Sequence, residues 1–383
     1  MDFQFAPEQI RFREEIKEFC RREVTPELLR DVESRGEEEH CPEFYKKLAD
    51  KGWIGLQWPK AYGGQERSRV DMTIFYEEME YAKAPIGRYR ASVVFVGESI
   101  LAFGNDKQKS HYLPRVARGE VTFSWCLSEP NAGSDTASMQ MKATAVGSDY
   151  VLNGQKIFIS GAHTSTHAMV AARTDPSLPP HKGISLFLLP FSTPGVSVRA
   201  IPTVGGIRLN EVFFDDVRVP AESMLGAKNA GFQNFVNYTL NFERANVGQL
   251  GRLRRLFDET VAYIKSSPVP VEPTLRHRLA ELEAEMMASR WMSYQIAWMF
   301  DRGLTVSAET SMRKVLTSRL IFALSELAMD IIGYRGTVQG KEAPMKGLAD
   351  MIYRQSGAYE VSAGTTDIQL NIIAQRGLGL PRN

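Results

Sequence analysis

Two stretches of this chain carry residue types suited to cradling a cofactor. The first, S-W-C-L-S-E-P-N-A-G-S-D from Ser124 to Asp135, sets Ser128, Asn131, Ala132, Gly133 and Ser134 around Pro130. Small and hydroxylated residues about a proline make turns and leave backbone N–H groups free to meet an anion or a ring edge. The second, Y-V-L-N-G-Q-K-I-F-I-S-G from Tyr150 to Gly161, carries Phe158 between Ile157 and Ile159. It reads as a strand that presents an aromatic ring and the Ser160 hydroxyl. A loop and hairpin are also ordinary in any β domain, and that plainer reading stands beside the cradle. Further on, Val236, Thr239, Glu243, Asn246 and Leu250 fall on one line of a helix, beside the aromatic stripe Phe232, Phe235, Tyr238 and Phe242. Such a setting partly desolvates a carboxylate and raises its affinity for a proton. An ordinary solvated Glu243–Arg244 pair is the alternative.

The elements that must position these residues change texture twice. Amphipathic helices are expected over Pro7 to Val24, Pro42 to Gly52, Val70 to Ala82 and Ser92 to Phe103, with another opening at Asp106 as N-cap. From Val121 short β-prone runs replace them: Asp149 to Ser160, Ala168 to Arg173, Gly183 to Leu189, Val196 to Ile201 and Glu211 to Val219. Their even spacing and turn clusters predict a small antiparallel barrel or sandwich. The helical period returns at Asn229 and holds to the end, interrupted by a loop through Pro268, Pro270 and Pro273. The expectation is an α+β chain: an N-terminal helical domain (1–120), a central antiparallel β-barrel (121–227) and a C-terminal four-helix bundle (228–383).

Bulk properties narrow the partners. The 383 residues include 46 Lys and Arg against 45 Asp and Glu, a net charge of +1 that gives no footing for nucleic acid or an anionic membrane. Cys20, Cys41 and Cys126 form no C-x-x-C pair, the histidines lack metal-ligand spacing with them, and His163 with His167 reads as a solvated pair, so no metal is expected. No apolar run approaches ~20 residues and the first residues show no leader pattern, which predicts no transmembrane segment and a reducing, cytoplasmic setting. There is no G-x-G-x-x-G after a strand and no P-loop, so a nucleotide cofactor must be held by other means.

S-E-P-N-A-G-S-D (128–135) and N-G-Q-K-I-F-I-S (153–160) together closely resemble the flavin-binding signature of the acyl-CoA dehydrogenase family, and helix, barrel, helix is that family's order. The resemblance implies FAD, contacted by Trp125, Leu127, Ser128, Gly133, Ser134, Phe158, Ile159, Ser160, Gly333, Thr365 and Gln369. It implies an acyl-CoA substrate met by Ser134, Asn241, Arg244 and Gly364, desaturated between its α and β carbons, with electrons passed to an electron-transfer flavoprotein or similar acceptor. Many members place the base in a Y-E-G-T motif, where this chain has Ser362, Ala363, Gly364 and Thr365. A second group, resembling isovaleryl-CoA dehydrogenase, has A-G-T there and the base in an L-x-x-E-R helix, which here is Leu240 to Arg244. Glu243 is therefore the expected base, with Glu98 in reserve, and Arg88, Tyr89 and Arg90 are candidates to meet a polar acyl group.

The chain also departs from the pattern. The R-x-x-F-G clamp of homotetrameric members is missing, and Q-I-F-G-G-x-G has become Asp330 to Gly336, without the Gln. Either Arg276, Arg278 or Arg335 supplies the charge, or a paralogous subunit shares the flavin site, so a homotetramer and a heterotetramer both stay open. Two further alternatives are a non-catalytic partner subunit and a flavin oxidase or monooxygenase on the same scaffold.

Overall fold

The computed structural model describes residues 4–34, 40–234, 239, 249–267, 270–340 and 342–381. Helices Pro7–Glu23, Pro26–Ser34, Pro42–Asp50, Arg69–Tyr81 and Asp106–Ala117 build the first layer. The second of them adds to the expected set, with Leu28 and Val32, four positions apart, giving it its apolar face. The cap of the last is Asn105 and not Asp106: Asn105 accepts the Gln108 N–H at 2.9 Å, and Gln108 returns the bond to the Asn105 N–H at 3.1 Å. Asp106 instead occupies the first turn, where its charge faces the positive end of the helix.

The expected helix over Ser92 to Phe103 is longer and irregular. It begins at Gly87–Tyr89, runs π-helical over Arg90–Gly97 and closes as Glu98–Phe103. Gly97 is required there, because a Cβ would come within 2.1 Å of the Trp58 ring.

Eight strands follow: β1 Phe123–Cys126, β2 Lys142–Val146, β3 Asp149–Lys156, β4 His167–Arg173, β5 Ile184–Pro190, β6 Val196–Pro202, β7 Arg208–Pro220 and β8 Met224–Leu225. They form one sheet in the order β6-β7-β3-β2-β4-β5-β8, with β1 added on β4. The expected antiparallel barrel is corrected on two counts. No ladder joins β6 to β8 among the described residues, so the sheet is open. It is also mixed, since β1 and β2 both meet β4 in parallel. Alternation in a sequence reports which face is buried, but neither strand direction nor closure. β4 is buried on both faces: Met169 and Ala171 join the core under the N-terminal helices, while Ala168, Val170 and Ala172 join Leu152, Phe187, Val212 and Phe214 beneath the curl of the sheet.

Helices Leu250–Ser266, Pro273–Asp301, Ala308–Ile332 and Leu348–Val361 then share one core of Leu253, Leu256, Leu282, Leu320, Leu324 and Ile352, the expected four-helix bundle. A buried ion cluster ties it to the N-terminal layer. Glu77 accepts from Arg13 at 2.8 Å, Arg290 at 2.5 Å and the Tyr294 hydroxyl at 2.5 Å.

Candidate functional site

The loop after β1 is fixed from below by one buried ion pair. Glu129 accepts the N–H groups of Gln140 (2.6 Å) and Met141 (3.0 Å), while Lys156, fully buried at the end of β3, donates to Glu129 Oε1 at 2.8 Å and to the Leu127 carbonyl at 2.9 Å. Burial lowers the Lys156 pKa and the Glu129 carboxylate opposes that shift. With Lys156 and Glu129 turned inward, Gly133, Ser134 and Asp135 are left on the surface, and a Cβ on Gly133 would meet nothing within 4 Å. Trp125, Leu127 and Ser128 are half-buried, Trp125 meeting Phe95 edge-on at 6.1 Å.

The second stretch is the expected strand only as far as Lys156, and beyond it becomes a turn. β3 stops at Lys156, the Ile157 N–H reaches back to Ser128 at 2.9 Å, and Phe158 takes the left-handed conformation at φ 58°. Its ring is 59 % exposed. A large ring in a conformation that aromatic residues seldom adopt, and turned outward, costs free energy that the bonded neighbours on both sides must offset. Ile159 is buried, while Ser160 is exposed and its carbonyl accepts from Ser124 Oγ and Arg88 Nη1, each at 2.9 Å.

Thr365 caps the last helix, Thr366–Ile372, by accepting the Ile368 N–H at 3.3 Å. Gln369 is fully buried and donates back to the carbonyls of Ala363 (3.0 Å) and Gly364 (3.3 Å). Its Oε1 has no partner among the described residues. Ala363 sits at φ 56° and Gly364 at φ 86°. Gly333, exposed at φ 67°, ends helix Ala308–Ile332. Glu243, Asn241 and Arg244 lie outside the described residues.

Several expectations are corrected. Arg88 and Tyr89 face inward and not toward a ligand: Arg88 is committed to Ser160, and the Tyr89 hydroxyl donates to the Trp53 carbonyl at 2.8 Å. Arg90 lies 3.5 Å from Glu80, whose pKa burial raises and whose other oxygen accepts the Gln249 N–H at 2.6 Å. Glu98, held in reserve for proton transfer, is saturated: it accepts from Gln57 (2.7 Å), Trp58 (3.1 Å) and Arg69 (2.8 Å). Arg278 is already paired with Glu326 at 2.9 Å. Sequence reading missed Asn210, fully buried on β7, which holds the turn from behind; a lone Asn inside a β-prone run was the available signal.

Neither His163 nor His167 belongs to a metal-binding cluster among the described residues, and both are half-buried instead of solvated. Burial, with Arg208 and Arg88 nearby, pushes His163 down to about 4, and burial with Arg115 and His111 does the same to His167. Their unfolded values lie near ~6.5. As pH falls from there toward 4 the unfolded chain binds protons that the folded chain refuses, so stability present above pH ~6.5 drains away. Melting temperature is expected to fall across that window, and His167→Gln to flatten the slope. An unaltered slope would refute the assignment. The three cysteines are buried and none forms a disulfide among the described residues, and burial lifts the Cys126 thiol to about 12, which leaves it inert at neutral pH.

Family models describe this chain in three consecutive pieces: the acyl-CoA dehydrogenase N-terminal domain over residues 6–120, the middle domain over 124–217 and the C-terminal domain over 229–378. Acyl-CoA dehydrogenase IpdE1 of Mycobacterium tuberculosis is 36% identical over 88% of this chain and 87% of its own length. Among solved structures, the ChsE4-ChsE5 complex from Mycobacterium tuberculosis contains a chain similar at TM-score 0.91 and 30% identity, over 100% of both. The glutaryl-coenzyme A dehydrogenase glutaryl-CoA complex matches at TM-score 0.88 and 25% identity, over 100% of this chain and 98% of the other. The chain belongs to the acyl-CoA dehydrogenase family.

Proposed function

We propose that this protein catalyses the FAD-dependent α,β-dehydrogenation of an acyl-CoA thioester to the 2-enoyl-CoA. The observation that carries this reading is the outward-facing Phe158 ring, held at positive φ between the Ser128 loop and the doubly bonded Ser160 carbonyl. The residues fit FAD. Phe158, with Trp125 beside the loop, offers aromatic surface; Gly133 leaves its cradle open; and the orphaned Gln369 Oε1 can accept from a bound nucleotide. Leu127, Ser128, Ser134, Ile159, Ser160, Gly333 and Thr365 complete the cofactor contacts, and Ser134, Asn241, Arg244 and Gly364 those to the substrate. FAD supplies the hydride acceptor.

The chain's own task is the proton. An α C–H is a weak acid, so its removal requires a donor to the thioester oxygen and a base matched to the reaction. The Ala363 N–H serves as such a donor, and Glu243 takes the proton. Thr239 supports that assignment: its hydroxyl lies 2.8 Å from Ser99 on the helix Glu98–Phe103, and helical spacing predicts Glu243, four positions on, along the same line.

The domain division 1–120, 121–227 and 228–383 and a cytoplasmic, tetrameric enzyme serving an electron-transfer flavoprotein complete the proposal. No described helix is long and apolar enough to cross a membrane. A heterotetramer with a paralogous chain is favoured by the missing clamp residues and by the likeness to a chain of a two-name complex. Purified chain is expected to be yellow and to bleach anaerobically with some member of an acyl-CoA panel. A colourless chain that gains flavin only on co-expression with a paralogue supports the heteromer. Flavin that no acyl-CoA bleaches in either form refutes the dehydrogenase reading.

A further inference from the structure

Two carbonyls of the turn Phe158–Gly161, those of Ile159 and Ser160, are occupied from behind, each by a route that begins at a guanidinium. The Ile159 carbonyl accepts from Asn210 Nδ2 at 2.8 Å, and the Asn210 backbone carbonyl accepts the Ile159 N–H at 2.9 Å. Asn210 Oδ1 in turn accepts from Arg208 Nε at 3.1 Å, with His163 Nδ1 3.2 Å from the Asn210 amide nitrogen. The Ser160 carbonyl accepts directly from Arg88 Nη1 at 2.9 Å, alongside Ser124 Oγ. Arg88 is only 4 % exposed, so water screens its charge weakly. The guanidinium lies so close over the backbone that a Cβ on Gly161 would fall 1.3 Å from Nη1.

A peptide unit bonded at its carbonyl becomes a stronger donor at its N–H, and bonds in series reinforce one another. The Ile159 carbonyl shares its peptide unit with the Ser160 N–H, and the Ser160 carbonyl shares its unit with the Gly161 N–H. Neither N–H has an acceptor among the described residues. Two successive donors are therefore polarised from inside the protein and left without an acceptor among the described residues, the first on exposed Ser160 and the second on buried Gly161, next to the exposed Phe158.

We propose that Arg208 with Asn210, and Arg88, are positioning residues that charge the Ser160 and Gly161 N–H groups as a donor pair for the electron-rich edge of the flavin ring. This rests on the flavoenzyme reading given above. None of the three side chains contacts the reacting atoms. Their effect is on redox balance: donors aimed at a ring edge favour the two-electron-reduced form, which carries more charge there, over the oxidised form.

Arg208→Gln is the informative variant, because the side chain is exposed and its loss opens no core. Arg88→Lys is the second, since it keeps the charge and loses the planar fork. For each, FAD affinity is measured by titrating apoprotein, and the midpoint potential of bound FAD by equilibration with a reference dye. Arg208→Gln is expected to bind FAD within about threefold of wild type, since only the end of a bond chain is removed. It should shift the oxidised-to-reduced equilibrium about tenfold toward oxidised, ~30 mV for a two-electron couple. Arg208→Lys recovers part of the shift. If wild type binds FAD and bleaches with an acyl-CoA while Arg208→Gln and Arg88→Lys keep its potential, this inference alone is overturned. If wild type binds no FAD, alone or with a paralogue, the flavoenzyme reading fails and takes the inference with it.

Discussion

Lys156→Met is expected to destabilise the protein by about 3–5 kcal/mol, the usual cost of leaving one member of a buried pair without its partner. The Lys156 ammonium is fully enclosed, and it is the counter-charge to Glu129 as well as the donor to the Leu127 carbonyl. Its removal strands a carboxylate that two backbone N–H groups, from Gln140 and Met141, neutralise only in part. The Leu127–Asp135 loop should loosen with it, so FAD affinity falls together with melting temperature. The double variant Lys156→Met with Glu129→Gln separates charge from shape: a neutral amide no longer carries a buried charge, and part of the lost stability should return through a coupling of about 0.5–3 kcal/mol. A double variant no more stable than Lys156→Met alone would show that the ion pair is not what holds the loop.

That pair also marks how far the sequence could be read. The residues of the cradle were legible as types, because turn-forming and small residues concentrate around Pro130 and an aromatic sits among β-prone neighbours. What holds them was not. Lys156 lies 27 positions beyond Glu129, and nothing in local periodicity announces that a lysine in a strand is buried with its charge. The same blindness to long range turned Phe158 into a strand residue. Alternation predicts the face of a side chain, whereas the positive φ at Phe158 follows from bonds that Ile157 makes to Ser128, Ile159 to Asn210 and Ser160 to Arg88. Charged residues misled in the opposite way. Arg88, Tyr89 and Arg90 read as a polar entrance, yet the first two are buried and bonded to backbone carbonyls, because a long side chain at an interface between layers can satisfy groups that the sheet leaves open. The helical character of the C-terminal part was plainer, since the helical period returns at Asn229 and a shared core of leucines, Leu253, Leu256, Leu282, Leu320 and Leu324, joins the helices.

The larger effect is expected on turnover. Glu243→Gln should lower kcat by roughly 10²–10⁴, the range that a positioned general base contributes, with FAD still bound and KM changed far less. The amide matches the carboxylate in size but cannot take the α-proton. Of the positions where family resemblance puts a base, only Glu243 retains a carboxylate, because Ala363 stands where many members carry theirs. Glu98 offers no substitute, since Gln57, Trp58 and Arg69 already occupy its oxygens. A base at Glu243 also gives meaning to the Ser99 and Thr239 hydroxyl contact, which holds Thr239, four positions before Glu243, against the helix Glu98–Phe103. Glu243→Asp, shorter by one methylene, should retain more activity than Gln, and the pH profile of kcat/KM should lose its acid limb in Glu243→Gln. A second carboxylate at the position of Ala363 offers a complementary check: Ala363→Glu added to Glu243→Gln should restore measurable turnover at little cost in backbone strain, because Ala363 already carries the Cβ that crowds the left-handed conformation there. Full turnover in flavin-loaded Glu243→Gln would remove this residue from the chemistry.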